Sequence, residues 1–351
     1  MSTAAPTVVC FGSLNRDCTY RVSERECAAL ADAFEWFPAT SETVTVADPS
    51  ALRHGSGETS DADGVSGLDG TPDAVALGGK GANQAYAAAV AGADVRMAGR
   101  VGPDAADLTA PLAAVGVDLD LVDVAREPTG TAHVWVTPDA ENRIAIVPGA
   151  NGVVDAEYAA SVADAAVAAD VVCLQNEVPV EAGVALLDRV ADLANESGTD
   201  DRPLVVVDPA PVANAAPLVA HDAVDVVTPN AVEAAALTDA LRTVDGVVVR
   251  TRGADGAAAV VSGVGTAAPI PGAEPSRSFA VPAPTVRPRD TTGAGDAFTG
   301  CLAAELARAT ALEPAVRQAV VAATLSVTRS GARAAPRRAR VQAVRGNREW
   351  P

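Results

Sequence analysis

Lysine is almost missing from this chain. Lys80 is the single one, so arginine supplies every other basic side chain, and 26 bases face 45 acids for a net charge of −19. Such a surface repels phosphate backbones, which argues against nucleic acid as a partner. Cysteine is sparse: Cys10, Cys18, Cys27, Cys173 and Cys301 are odd in number and show no Cys-x-x-Cys spacing, which fits reduced, buried thiols in a cytoplasm. His54, His133 and His221 have no metal-ligand spacing and are assigned no site. No segment approaches the roughly eighteen apolar residues of a membrane span without a charge or a proline. The run Thr7 to Gly12 is too short for a signal sequence, so a soluble cytoplasmic protein with no membrane partner is expected. No Gly-Lys-Ser/Thr occurs anywhere, which removes a Walker A phosphate loop.

A chain of 351 residues, 49% of them apolar, can bury one large core or two modest ones. Thr7 to Gly12 reads as a buried first strand ending in a glycine turn. Cys18 to Val22 and Glu42 to Val46 alternate apolar and polar residues, as strands of a small half-exposed sheet do, with a helical stretch, Ser23 to Trp36, between them. Residues 47–73 are rich in Gly, Ser and Asp, bury little, and read as a flexible insertion. From Val95 onward strand and helix alternate: strand Val95 to Val101, helix Asp104 to Val115, a hairpin of Thr131 to Thr137 and Arg143 to Val147, helix Ala156 to Ala168, then strand Val171 to Leu174. Strands Leu204 to Val207, Val224 to Val227 and Val247 to Arg250 continue the pattern. Alternation of this kind implies a largely parallel sheet with helices on both faces. Seven arginines between Arg329 and Arg348 end the chain in a basic tail, 336–351, of solvated or self-docking character.

The most informative string is Asp290-Thr291-Thr292-Gly293-Ala294-Gly295-Asp296-Ala297-Phe298-Thr299-Gly300. It reads as a tight turn opening a helix whose apolar positions are Phe298, Leu302 and Leu306. Gly293 and Gly295 let backbone amides approach an anion, and the helix dipole favours negative charge there. A carboxylate, Asp296, is out of place in an anion site unless it removes a proton from a hydroxyl attacking a phosphoryl group. The other reading is an ordinary N-cap, because aspartate caps well. The same duality holds elsewhere. Asn15 and Asp17 follow the first strand, where open α/β sheets place ligands, and also suit an Asx-turn. Gly78-Gly79-Lys80-Gly81-Ala82-Asn83-Gln84-Ala85 suits a polyol-facing hinge or a plain strand-to-helix turn. Asn230 and Glu233 suit phosphate chemistry or a capping box.

The string around Asp296 resembles the C-terminal signature of the ribokinase-like carbohydrate kinases of phosphofructokinase-B type. Gly-Ser-Leu-Asn-x-Asp and Gly-Gly-Lys-Gly-Ala-Asn-Gln-Ala resemble the sugar-binding elements of the same family, and the likeness runs from about residue 7 to 335. The resemblance implies a three-layer α/β/α sandwich over 1–335, with a mostly parallel central sheet and a small β lid drawn from about 17–50 and 129–147. It implies transfer of the ATP γ-phosphoryl to a pentose hydroxyl, ribose first, with Asp296 as base and Gly293, Ala294 and Gly295 as anion hole. Asn15, Asp17, Gly79, Lys80, Gly81, Asn83 and Glu177 would hold the sugar. Asp208, Asn230, Thr251, Arg252, Gly253, Gly256 and Gly295 would meet the nucleotide. Asn230 and Glu233 would organise Mg²⁺ indirectly, and the backbone around Asp290, Thr292, Ser326, Arg329 and Gly331 would hold a monovalent cation, K⁺. At Asp208 the family usually carries Asn. The resemblance also implies a homodimer through the lid. Other acceptors within the family are a nucleoside or ribose 1-phosphate, and a catalytically silent sugar-binding regulator is the reading from another class.

The acid excess fits a salt-in halophile cytoplasm and makes a prediction of its own. Self-repulsion among acids is least screened at low ionic strength, so raising potassium chloride from about 0.1 to 2 M should raise the melting temperature. A flat or falling melting temperature over that range removes the halophile reading.

Overall fold

The computed structural model describes residues 5–39, 43–46, 71–139, 141–197, 202–263 and 270–346. In chain order the elements begin with β1 (Thr7–Phe11), β2 (Asn15–Arg21), α1 (Glu24–Ala33), β3 (Thr43–Thr45), β4 (Ala74–Gly78), α2 (Lys80–Val90), β5 (Asp94–Val101), α3 (Ala110–Ala113) and β6 (Asp118–Val124). They continue with β7 (Gly130–Val136), β8 (Asn142–Val147), α4 (Ala156–Val167), β9 (Val171–Gln175), α5 (Val180–Ser197), β10 (Leu204–Asp208), α6 (Ala216–Val219) and β11 (Val226–Val227). Last come α7 (Ala231–Ala236), α8 (Thr238–Thr243), β12 (Val247–Thr251), β13 (Ala257–Val261), β14 (Ser278–Val281), α9 (Ala294–Leu306), α10 (Leu312–Ser326) and α11 (Arg338–Gly346).

Among the described residues the large sheet has nine strands in the order β14-β13-β12-β11-β10-β9-β1-β5-β6. It is parallel from β6 across to β12 and antiparallel only at the β12-β13-β14 edge. The first strand shows why it is buried on both sides. Val8 and Cys10 pack into one core with α2, α9 and α10, while Val9 and Phe11 pack into a second core with α4 and α5. Side chains that alternate between faces, all of them apolar, need a helix layer over each face.

The second sheet, β3-β8-β7-β2-β4, is the small one expected from the N-terminal third together with the 131–147 hairpin. Its faces differ in kind. Cys18, Tyr20 and Val22 point to a cluster with Cys27, Leu30, Val46, Ala145 and the fully buried Trp135, against which Phe34, Trp36 and Phe37 pack. Asn15 and Asp17, on the opposite face, look into the cleft between the two sheets. Helix α1 is thus the cover of the outer face, and its start is fixed by a capping box between Ser23 and Glu26.

The structure corrects two expectations and adds one strand. The helix over Asp104 to Val115 shrinks to α3, because the Asp104 carboxylate accepts from the Thr129 amide (2.9 Å) and hydroxyl (2.7 Å) instead of capping a helix. Asp118 to Val124, which alternates as a strand does, is a strand beside β5. The strand over Val224 to Val227 narrows to the two residues of β11. The insertion 47–73 falls outside the described residues except for 71–73.

The basic tail is helical over α11 and docks on the large core through the buried Val341 and through Arg338, whose Nε donates to Glu305 at 2.8 Å. Glu305 is fully buried and also receives Arg308, Thr310 and Gln318. Removing the one carboxylate leaves two guanidinium groups facing a desolvated hole. Glu305→Ala should therefore cost about 3 kcal/mol of stability in chemical denaturation, whereas Arg242→Ala, in an exposed pair with Asp239, should cost less than about 1 kcal/mol. Equal costs for the two variants would contradict this account of the tail.

Candidate active site

The cleft between the sheets gathers the ends of several strands and the starts of two helices. β1 runs into the turn Gly12-Ser13-Leu14, and α2 begins directly against that turn. Gly79, with φ of 88°, has Ser13 O and Asn15 N within 2.9 Å of where its Cβ would stand. A Cβ on Gly81 would lie 2.7 Å from Ser13 N. Only glycine allows this approach, so the paired glycines serve close packing of the helix start.

On the opposite wall Gly293, left-handed at φ 73°, is the N-cap residue of α9 and presses against the backbone of Ala332. No side chain caps that helix. Asp296 is 5% exposed and turns away from the first helical amides toward α2, which decides against the capping reading. Its Oδ2 accepts from Asn83 Nδ2 (3.0 Å), and its Oδ1 from Lys80 Nζ and Gln84 Nε2 (3.4 Å each). The space over Gly295 is open, with nothing within 4 Å of a notional Cβ. The N-terminal amides of α9 therefore face an unfilled volume beside a buried carboxylate.

Lys80 ties the centre together. Its ammonium donates to Asp208 Oδ2 at 3.1 Å as well as to Asp296. Burial works against that charge, but Asp208, Asp296, Glu177 and Glu233 outweigh it and hold the pKa well above the ordinary value. Burial pushes the Asp208 and Glu177 carboxyls up, with Lys80 opposing in both cases. Glu177 is held at the same junction, accepting from Ser13 Oγ (2.5 Å) and from the amide of Lys80 (2.9 Å). Asp17 is pushed up to about 7, first by burial and then by Glu177 and Asp296, against the pull of Arg333. Gly78, which pairs with Asn15 on the neighbouring strand, must be glycine, because a Cβ there would come within 2.1 Å of the Asp17 carboxylate.

Sequence reasoning left several of these participants unassigned. Gln84 bridges Asp208 (2.9 Å) and Asp296, and its own Oε1 accepts from Gln175 Nε2 (2.6 Å). Ser13, Gln84 and Gln175 all lie inside or beside the strings already singled out, yet no spacing rule shows which of them face the cleft. Arg333 is half-buried and follows Ala332, the residue packed on Gly293.

The remaining assigned residues lie at the C-terminal ends of the later strands. Asn230 and Glu233 form a full capping box at α7: Asn230 Oδ1 accepts from the amides of Val232 and Glu233, and Glu233 accepts from the amide and Nδ2 of Asn230. Both Glu233 oxygens are thereby engaged within the capping box. Thr251 N donates to Pro229 O, and the tight connection Arg252 to Gly256 closes by Arg252 N donating to Gly256 O at 2.8 Å. Gly253 and Gly256 both have positive φ there. Arg252 is exposed and its guanidinium donates to Asp255 O, outside the central cluster. Asp290 laces two loops, accepting from Thr292 N (2.9 Å) and Gly331 N (2.8 Å), while Arg329 N donates to Ser326 O. Asp290 N also donates to Val327 O, so the 290–292 turn and the 326–331 segment lie side by side. Among the described residues the one cluster with direct metal-binding spacing, Glu24, Asp139 and Glu141, is exposed on the lid. No described helix is long and apolar enough to cross a membrane.

Residues 71–339 match the model of the pfkB family of carbohydrate kinases. Ribokinase of Bacillus subtilis is 34% identical over 274 residues, 75% of this chain and 85% of that protein. Among solved structures, ribokinase of Thermotoga maritima superposes with a TM-score of 0.71 at 25% identity, covering 98% of this chain and all of that one. Ribokinase of Arabidopsis thaliana, solved with ribose and ATP, has a TM-score of 0.66 at 23% identity over 98% and 100% of the two chains. The chain therefore belongs to the pfkB carbohydrate kinase family, and it is a phosphotransferase that acts on a sugar hydroxyl.

Proposed function

We propose that the protein transfers the γ-phosphoryl of ATP to the 5-hydroxyl of ribose, giving ribose 5-phosphate and ADP in the cytoplasm. The observation that carries this reading is the buried Asp296 carboxylate, turned from its own helix start into a cleft that also holds Asn15, Asp17 and Asn83. The acceptor identity is supported by ribokinases at 34% identity and by the ribose complex of the Arabidopsis protein. Five free, buried thiols suit a reducing compartment.

In this reading Asp296 takes the proton of the attacking hydroxyl as the new P–O bond forms and the bond to ADP breaks. The amides at Gly293 to Gly295 receive the charge on the transferring group, and Lys80 stands beside the base to balance it. Asn83 Oδ1, buried and without a partner, is left to accept from the sugar, as are Asp17 and Glu177. Arg252 and the Thr251 to Gly256 connection lie on the nucleotide side. Four carboxylates, Asp208, Asp296, Glu177 and Glu233, stand around one ammonium, and this excess of negative charge fits a divalent cation arriving with the triphosphate. Mg²⁺ held through water near Asn230 and Glu233 would neutralise phosphate charge, and K⁺ among the carbonyls near Asp290 would stiffen the anion-hole turn. A silent sugar-binding regulator is disfavoured, because a binder gains nothing from a buried carboxylate aimed at the acceptor.

Two measurements test this function. Asp296→Asn keeps size but cannot take a proton, so kcat should fall by about 10²- to 10⁴-fold with acceptor KM little changed. Activity within about threefold of wild type would remove Asp296 as the base.

The second measurement uses pH. A carboxyl raised to about 7 is protonated below that pH and then offers a sugar hydroxyl a weaker, uncharged acceptor. Acceptor KM should accordingly rise as pH falls below about 7 and level off above it, and Asp17→Asn should abolish the pH dependence while raising KM throughout. A KM independent of pH between about 5.5 and 8 would eliminate Asp17 as an ionised ligand.

A further inference from the structure

Asn151 lies in the tight turn Gly149–Val153 that follows β8, 2% exposed and beside the turn that leads into β2. Its orientation is settled by chemistry. The atom 3.0 Å from the amide of Leu14 must be Oδ1, since a backbone N–H can only donate. Its Nδ2 then meets Leu14 O at 3.2 Å and the Asn15 side chain at 2.7 Å. An amide NH₂ needs an acceptor, so the Asn15 atom it meets is Oδ1, and Asn15 Nδ2 is the end left over. That Nδ2 has no partner among the described residues, although Asn15 is only 3% exposed.

The backbone makes room for this clamp. Gly130 stands opposite Asn15 on β7, and a Cβ there would lie 2.2 Å from Asn151 Nδ2 and 2.6 Å from Asn15 Oδ1. On the other side β4 offers Gly78 opposite Asn15. Asn15 and Asp17 share one face of the strand, about 7 Å apart along it, above a floor of Gly78, Ala76, Gly130 and Ala132. Small residues leave the volume over the pair to a ligand.

We propose that Asn151 is a positioning residue: by occupying Asn15 Oδ1 it fixes Asn15 Nδ2 toward the acceptor, so that the subsite offers one donor at Asn15 and one acceptor at Asp17 to neighbouring hydroxyls. This deepens the sugar-kinase reading and rests on it. A polyol hydroxyl that accepts from Asn15, next to one that donates to Asp17, is recognised; a sugar lacking either leaves a buried polar group unpaired.

The test reverses the amide. Asn151→Asp is isosteric but cannot donate, so Asn15 should turn its Nδ2 to the new carboxylate and present Oδ1 to the sugar. Acceptor KM should rise by about tenfold or more with kcat within about threefold. The penalty should vanish in an Asn15→Ala background, and also with whichever of 2-deoxyribose and 3-deoxyribose lacks the hydroxyl that Asn15 reads. A penalty that persists in the Asn15→Ala background, or is the same for ribose and both deoxy sugars, overturns the proposal, as does an unchanged KM. Should the buried aspartate prevent folding, Gly130→Ala, which forces Asn151 off Asn15, is subjected to the same cycle with the same outcomes. A wild type that prefers another acceptor would sink the ribose assignment alone, because the KM split is read on whichever acceptor turns over best.

Discussion

One ammonium holds the centre of this protein together. Asp208 and Asp296 come from the end of β10 and the start of α9, elements far apart in sequence, and both are nearly inaccessible to water. Two carboxylates so placed repel one another and lose hydration. Lys80 Nζ reaches both, and Gln84 on the next part of α2 adds a neutral donor to each. Arginine supplies every other basic side chain, but a planar fork is a poor fit for two carboxylates approached from one helix start. A compact ammonium with rotatable donors suits the place. The approach of α2 to the Ser13 turn, which Gly79 and Gly81 permit, is what sets that ammonium at the right depth.

Much of this was legible in the sequence because glycine strings and strand alternation are local signals. The parallel sheet followed from apolar runs alternating with helical ones, and α9 followed from Gly293 to Gly295 ahead of Phe298. The two readings of Asp296 could not be separated by spacing, since a cap and a base occupy the same turn. Only the direction of the side chain separates them, and that depends on Asn83 and Lys80, more than two hundred residues away. Asn230 and Glu233 went the other way: the capping box is fully formed. Asp104 misled for a related reason. Its residues carry helical spacing, but Thr129 across the chain offers its carboxylate two better hydrogen bonds than a helix end would.

The lid shows how an addition to the chain changes what a surface can do. Its inner face must be small and polar, and glycine and alanine surround Asn15 and Asp17 there. Its outer face carries Cys18, Tyr20 and Trp135, which exposed would form an apolar patch. Helix α1 with Phe34, Trp36 and Phe37 covers that patch from within the same chain. The stretch Ser23 to Trp36, unexplained by motif, thereby acquires a packing role.

Asp208 brings the charge argument to its last step. Its carboxylate is engaged on both oxygens: Oδ1 by the amide of Ala210, Oδ2 by Gln84 and Lys80. These three donors hold the group within the cluster around Lys80. What it changes is the environment of Lys80. With an amide at this position the ammonium would keep a hydrogen-bond acceptor there but would have Asp296 as its one charged partner within reach. With a second carboxylate the ammonium is shared, at 3.1 Å to Asp208 and 3.4 Å to Asp296. The longer arm is the one to Asp296, so the ammonium bridges β10 and α9 instead of closing on either carboxylate alone.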